Sequence, residues 1–242
     1  MEFKKLSVLM PMYNEELHAA ASILETDDYF KKLGIDYEII VVDDGSKDLT
    51  YDKALSVKKE NIKIHKLLYN QGKGQALREA FKISSGDLIM FLDGDLDIHP
   101  EQFKVLFKIM QKENADVVIG SKRHPETVLY YPWKRRILSM GYFFIVKILF
   151  GLPLRDTQTG IKLFKREVLD KVFHKVLIKR YAFDLELLIL AHHHGYKISE
   201  APVVVKYRGK FGHITLKTIF QIFWDTIAIF YRLRILKYYD KQ

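Results

Sequence analysis

Asp93, Asp95 and Asp97 stand at alternate positions in FLDGDLDIHP, residues 91–100, directly after the apolar run Leu88-Ile89-Met90. Carboxylates at i, i+2 and i+4 of an extended segment share one face. Like charges held that close repel, and each raises the pKa of its neighbours. A bound cation would reverse that penalty. The spacing alone fits equally a solvated loop with an acidic cap, placed before a helix that His99-Pro100-Glu101 opens.

The elements around the three aspartates carry the next step. Short β-branched and apolar runs at 6–10, 37–42, 62–67, 87–92 and 116–120 read as strands, and stretches near 15–33, 48–60, 73–84 and 101–113 read as helices. Continuous apolar strands alternating with helices predict an α/β fold, with a mostly parallel sheet covered on both faces. Ligands of such sheets bind at the carboxyl ends of the strands. Those ends here read Pro11-Met12-Tyr13-Asn14-Glu15, Asp43-Asp44-Gly45-Ser46, Asn70-Gln71-Gly72-Lys73-Gly74 and Asp93-Gly94-Asp95. Polar, acidic and glycine-rich residues therefore gather along one edge.

Other chemistries are excluded in turn. NQGKGQAL follows the third strand and lacks a third glycine, which argues against a dinucleotide loop, and no P-loop run occurs. The chain has no cysteine, so neither disulfides nor thiolate metal sites are available. The three consecutive histidines at 192–194 would point in different directions from a helix and make a poor metal site. The net charge of +9 across 242 residues calls for an anionic partner. Residues 206–242 hold eight Lys or Arg against Asp225 and Asp240, a net +6, among large apolar side chains. That mixture suits a membrane surface better than nucleic acid.

VLMPMYNEE, VVDDGSKD, NQGKGQALREAF and FLDGDLDIHPE occur in that order, followed by GSKRHP, DTQTGIKLFKREVL and YAFDLELLILAHHHGYKISEAPV. Together, over roughly residues 5–208, they resemble the family 2 inverting glycosyltransferases of the GT-A fold. Within that family they look like the branch that makes dolichyl-phosphate glucose or mannose, with its polyprenyl-phosphate relatives. The resemblance implies a Rossmann-like GT-A catalytic domain over 1–208. Its nucleotide-sugar half would be 1–120 and its acceptor half 121–208, with an amphipathic C-terminal helix over 209–242. Pro11, Tyr13, Asn14, Glu15, Asp44, Gly45, Lys73, Gly74, Asp93 and Gly94 would line the nucleotide-sugar pocket, with Asp44 on the base. Asp93 and Asp95 would hold Mg2+ or Mn2+ on the donor diphosphate, and Asp97, which could also ligate the metal, stands where mannose-transferring relatives often have glutamine. UDP-glucose is thereby slightly preferred to GDP-mannose as donor. The cation would stabilise the charge that develops as the sugar departs.

A lipid monophosphate acceptor has a second pKa of about 6 and is largely a dianion at neutral pH, so no strong base is needed. Arg123 and Arg135 or Arg136 are the expected phosphate ligands, because arginine makes bidentate contacts. A hydroxyl acceptor would instead need a carboxylate base, for which Asp156 and Asp184 or Glu186 are the candidates, with Asp156 and Asp184 favoured by the resemblance. The alternative to turnover is a protein that only binds nucleotide sugars.

ILSMGYFFIVKILF, residues 137–150, is apolar apart from Lys147. As a helix it reaches roughly 22 Å, short of the ~30 Å hydrocarbon core. An interfacial helix over 134–151 is expected, and a buried core helix is its competitor. The C-terminal stretch carries Lys217, Gln221, Asp225 and Arg232 on one stripe and a broad apolar face elsewhere. No signal-peptide layout is seen at the N-terminus. The expectation is peripheral attachment at the cytoplasmic face of a membrane, with dimerisation as the other use of the same face.

Overall fold

The computed structural model describes residues 3–129, 133–206 and 215–240, with the side chains at 129, 133–140 and 216 outside the description. β1 (Leu6–Met12) leads through α1 (Ala19–Leu33) to β2 (Tyr37–Asp43), α2 (Thr50–Leu55), β3 (Ile62–Lys66), α3 (Lys73–Lys82) and β4 (Leu88–Phe91). α4 (Phe103–Glu113), β5 (Val117–Ser121) and the short β6 (Val128–Leu129) precede α5 (Trp133–Phe150). The second half adds β7 (Lys162–Lys165), α6 (Arg166–Val172), α7 (Phe183–His193), β8 (Ile198–Pro202), β9 (Val204–Val205) and α8 (Leu216–Phe230).

Among the described residues, seven strands form one sheet in the order β3-β2-β1-β4-β7-β5-β8, and β6 pairs with β9 in a separate parallel ribbon. β1 runs parallel to β2 on one side and to β4 on the other. The chain winds outward through β2 and β3, then crosses back to β4. That makes the cleft between the carboxyl ends of β1 and β4 the switch point at which such sheets hold ligands.

β7 departs from the parallel pattern, running antiparallel to both β4 and β5. A reversed strand presents its first residue, rather than its last, at the ligand edge. Lys162 accordingly pairs with Phe91, the last residue of β4. The segment 156–161 that leads into β7 is delivered to the same edge.

Successive strand residues face opposite ways. Leu9, Ile40, Val42, Ile89, Phe91 and Phe164 pack with α3, α6 and α7 on one face. Val8, Met10, Ile39, Val41 and Met90 pack with α1 and α4 on the other. Each such side chain contributes roughly 1.5–3 kcal/mol by leaving water.

The C-terminal segment is tied into the first of these cores. Tyr239 is buried there, beside Ile229. Glu186 of α7, fully buried, accepts the Leu177 and Ile178 amides at 2.9 and 2.7 Å, and Arg232 at 2.9 Å. The Tyr239 hydroxyl donates to the same carboxylate. Arg232, expected on the solvated stripe of the C-terminal helix, is therefore turned toward the domain. One face of α5 also enters the core through Val146 and Phe150, while Phe144, Ile145 and Ile148 are exposed.

Glu38 gives a direct test of the sheet's edge chemistry. Its buried carboxylate joins three strands and a loop, accepting from Ser7 Oγ at 2.7 Å, Lys63 Nζ at 2.8 Å and the Ser85 amide at 2.6 Å. Burial alone would raise its pKa, but these donors outweigh burial and hold it down to about 2. A depressed folded pKa means stability that is present above the unfolded value and lost as pH falls toward the folded one. Glu38→Gln is expected to cost on the order of 2–3 kcal/mol at pH 7. Its acid limb should flatten between about pH 4.5 and 2. Circular dichroism melts across that range check this, and parallel acid limbs would refute it.

Candidate active site

Three loops at the carboxyl edge are laced together before any ligand is considered. After β1, Asn14 adopts a left-handed backbone at φ 54. Its amide donates to Ser46 Oγ at 2.9 Å, and its side-chain oxygen accepts from the Lys47 amide at 3.1 Å. The Glu15 amide donates to Thr50 Oγ1 at 2.7 Å. Pro11 lies beyond the last β1–β4 pair, Leu9 with Phe91, where its missing N–H is not needed for that ladder. Tyr13 is exposed on the rim.

Asp44 is buried, and its two oxygens accept the Gln71 and Gly72 amides at 2.7 Å each. It braces the third loop against the second, and a base contact would use the remaining lone pairs of those oxygens. Gly72 has φ 101, a backbone that side-chain-bearing residues avoid. A Cβ on Gly45, Gly74 or Gly94 would meet, respectively, the Tyr69 backbone, the Phe183 ring or the Met12 side chain. The close approach these glycines permit is thus to the protein itself.

The three aspartates are not arranged as an extended strand would arrange them. β4 ends at Phe91, the Leu96 amide turns back to the Asp93 carbonyl at 3.2 Å, and the Asp97 amide donates to Asp95 Oδ1 at 3.1 Å. Leu96 is buried at φ 51, an uncommon backbone for a bulky residue. The turn still brings Asp93, Asp95 and Asp97 to one cavity of about 110 Å³, shared with Lys122, Gln158 and Gly160. The Lys206 amide donates to the Asp97 carbonyl at 2.8 Å and holds the far side of the turn.

Negative charge is in excess there. Burial and then the Asp93 carboxylate push Asp95 up to about 7, and burial with neighbouring carboxylates raises Glu15. Among the described residues, no three His, Cys, Asp or Glu side chains stand at the mutual distances of a closed metal site. An open pair of carboxylates, completed by substrate phosphate and water, is the kind of site Mg2+ and Mn2+ use. The donor set fits such an ion.

Countercharge comes from α3 and β7. Lys73 Nζ lies 2.6 Å from Asp93 Oδ1 and 4.0 Å from Asp184 Oδ2. Lys162 Nζ, buried, lies 2.7 Å from Asp184 Oδ1 and donates to the Thr159 carbonyl at 2.5 Å. The two lysines outweigh burial and keep Asp184 ionised. Lys162 and Gly160 went unremarked in the sequence; the available signal was a lysine inside an apolar strand run.

Asp156 caps its own loop. It accepts the Lys122 amide at 3.0 Å, the Gln158 amide at 3.0 Å and the Thr159 hydroxyl at 2.6 Å. Arg123 stacks over the Phe143 ring of α5, 4.7 Å from its centre. Arg123 and Phe143 line a second, smaller cavity with Tyr142 and Asp156, and Gln158 lines both cavities. Arg135 and Arg136 fall in the first turns of α5, where their side chains lie outside the described residues.

Comparison with solved structures places the fold. Glucosyl-3-phosphoglycerate synthase from Mycobacterium tuberculosis, crystallised with Mn2+, UDP-glucose and phosphoglyceric acid, superposes with a TM-score of 0.71 at 19% identity. The match covers 94% of this chain and 79% of that one. Mannosyl-3-phosphoglycerate synthase from Rubrobacter xylanophilus gives a TM-score of 0.71 at 18% identity, over 97% and 75% of the two chains. The fold is GT-A, that of nucleotide-sugar transferases. The family model for glycosyl transferase family 2 matches residues 7–173, and the chain belongs to that family.

Dolichyl-phosphate beta-glucosyltransferases are among its relatives. The Trichomonas vaginalis protein is 35% identical over 209 residues, covering 82% of this chain and 64% of that protein. The Dictyostelium discoideum protein is 34% identical, over 82% and 65%, and the Homo sapiens protein 33% identical, over 83% and 67%. The chain thus spans about two thirds of the length of these relatives.

A Cβ built on Gly160 would fall on Asp93 Oδ2. Gly160→Ala is expected to push Asp93 off its position while leaving the fold intact. A displacement near 1 Å costs about 100-fold in turnover. Sugar transfer measured beside a thermal melt tests this, and near-normal transfer would show that Asp93 needs no such clearance.

Proposed function

We propose that the chain transfers glucose from UDP-glucose to a dolichyl or polyprenyl phosphate by single displacement with inversion. The names of its relatives support the sugar and the acceptor. The observation that carries the reading is that the carboxylates expected as a base are already engaged. Asp156 caps its loop, and Asp184 is paired with Lys162 and Lys73. A sugar or protein hydroxyl would need one of them free. A phosphate dianion needs neither.

In this reading Asp93, Asp95 and Asp97 would hold Mg2+ or Mn2+, which when bound would neutralise the leaving nucleoside diphosphate. Lys73 offers a further cation to that diphosphate from the first turn of α3. Pro11, Tyr13, Asn14, Glu15, Asp44, Gly45, Gly74 and Gly94 form the pocket for the nucleotide and its sugar. Arg123 takes the acceptor phosphate, steadied by Phe143, with Arg135 and Arg136 following on α5. Residues 1–120 then serve mainly the donor and 121–208 mainly the acceptor, with Lys122, Gln158 and Gly160 of the second half reaching the aspartate cavity.

Among the described residues no helix is long and apolar enough to cross a membrane. Phe144 and Ile148 of α5 are exposed, as are Phe220, Phe223 and Trp224 of α8. Large aromatic side chains beside Lys217 and Arg234 support contact with the cytoplasmic face of a membrane, and a dimer is the other use of that surface. Cations set among large apolar side chains favour a membrane surface over nucleic acid.

Labelled sugar offered as UDP-glucose or GDP-mannose to a short polyprenyl phosphate tests the proposal. Labelled lipid is expected from UDP-glucose, abolished by chelation. Asp95→Asn should lower turnover by roughly 100-fold or more. Transfer to a hydroxyl acceptor, with none to the lipid phosphate, would overturn the acceptor assignment.

A further inference from the structure

Asp93, Lys73, Asp184 and Lys162 form one line of alternating charge, with successive contacts of 2.6, 4.0 and 2.7 Å. One end of the line is fixed. Lys162 is buried in β7 and held by the Thr159 carbonyl as well as by Asp184. Asp184 is buried in the first turn of α7. Lys73 differs, since its side chain keeps 30% of its surface exposed and has a carboxylate on either side. Of the two cations in the line it is the one able to move, Lys162 being buried.

Asp93 is also the carboxylate shared between this line and the cluster formed with Asp95 and Asp97. An ammonium at 2.6 Å and a divalent cation on the same carboxylate repel each other. We infer that Lys73 gates Asp93: it neutralises that carboxylate while the donor is absent, and turns toward Asp184 and the donor diphosphate when cation and nucleotide enter together. The inference rests on the donor site proposed above. Its consequence is coupling. A divalent cation alone must displace Lys73, whereas the diphosphate offers Lys73 a new partner, so each ligand strengthens the other by the same factor.

Mn2+ binding to the full chain, read from the electron paramagnetic resonance signal of the free ion with and without UDP, tests the gate. Lys73→Met removes the ammonium and keeps the stem; Lys73→Arg keeps the charge. An ion pair formed about nine times in ten hides Asp93 by about tenfold. Lys73→Met is therefore expected to bind Mn2+ alone about tenfold more tightly than the wild type. Lys73→Arg should bind it as the wild type does. In Lys73→Met the gain in Mn2+ affinity on adding UDP should shrink. General damage to the site would weaken Mn2+ under both conditions, the opposite sign. A wild type that takes up Mn2+ with UDP, beside a Lys73→Met variant with no gain in Mn2+ affinity, overturns the gate alone. A wild type that binds no Mn2+ even at saturating UDP removes the donor-site reading, and the gate with it.

Discussion

Like charges gathered at the switch point are the constraint around which the rest of the structure is arranged. Asp93, Asp95 and Asp97 line one cavity, and burial, then the charges of Asp93, Asp97 and Glu15, raise the Asp95 carboxyl toward neutrality. Such a cluster is unfavourable in a folded chain unless countercharge is close. Lys73 supplies it from α3. Lys73 is held in turn by Asp184, and Asp184 by Lys162. A buried lysine on a central strand would be strongly destabilising by itself; here it closes a balanced line whose outer end faces the cleft.

The direction of β7 makes that line possible. Run parallel, the strand would present Lys165 at the ligand edge and leave Lys162 at the far side. Run antiparallel, it sets Lys162 opposite the end of β4 and brings Gln158 and Gly160 beside the aspartates. The same segment carries Asp156 to the end of β5, where it accepts the amide next to Arg123. The two cavities, proposed above for donor and acceptor, therefore share a wall, with Gln158 in both. One reversed strand joins the two halves of the chemistry.

Much of this was legible in the sequence, and the misses have physical causes. β-branched runs marked β1 to β5, and the polar residues that follow them marked the ligand edge. The direction of β7 was hidden, because IKLFK is a buried strand read either way. The aspartates were expected on an extended face, yet Leu96 takes a left-handed backbone that no local propensity favours. The turn reaches the same cavity by another route. Lys162 was missed because its partner lies on α7, beyond the reach of any pattern local to the strand. Asp44 shows the reverse case: its motif was plain, while its two amide donors are in a loop well down the chain.

A lipid phosphate has two requirements that pull apart. Its head must meet cations in a partly buried site, and its hydrocarbon must stay out of water. For the acceptor proposed above, consecutive residues of α5 would serve both needs within about two turns. Phe143 lies under the Arg123 guanidinium, and Tyr142 bonds Thr226 of α8 at 3.1 Å. Phe144 and Ile148 point outward with the aromatic face of α8. A helix buried on every side could hold the head but not admit the chain. One exposed on every side could meet the bilayer but not fix the arginine. The division of α5 into a packed face and an exposed one is what the proposed acceptor, a charged head on an apolar tail, would demand, and Lys147, the one charge in its apolar run, lies 5.7 Å from the same Phe143 ring.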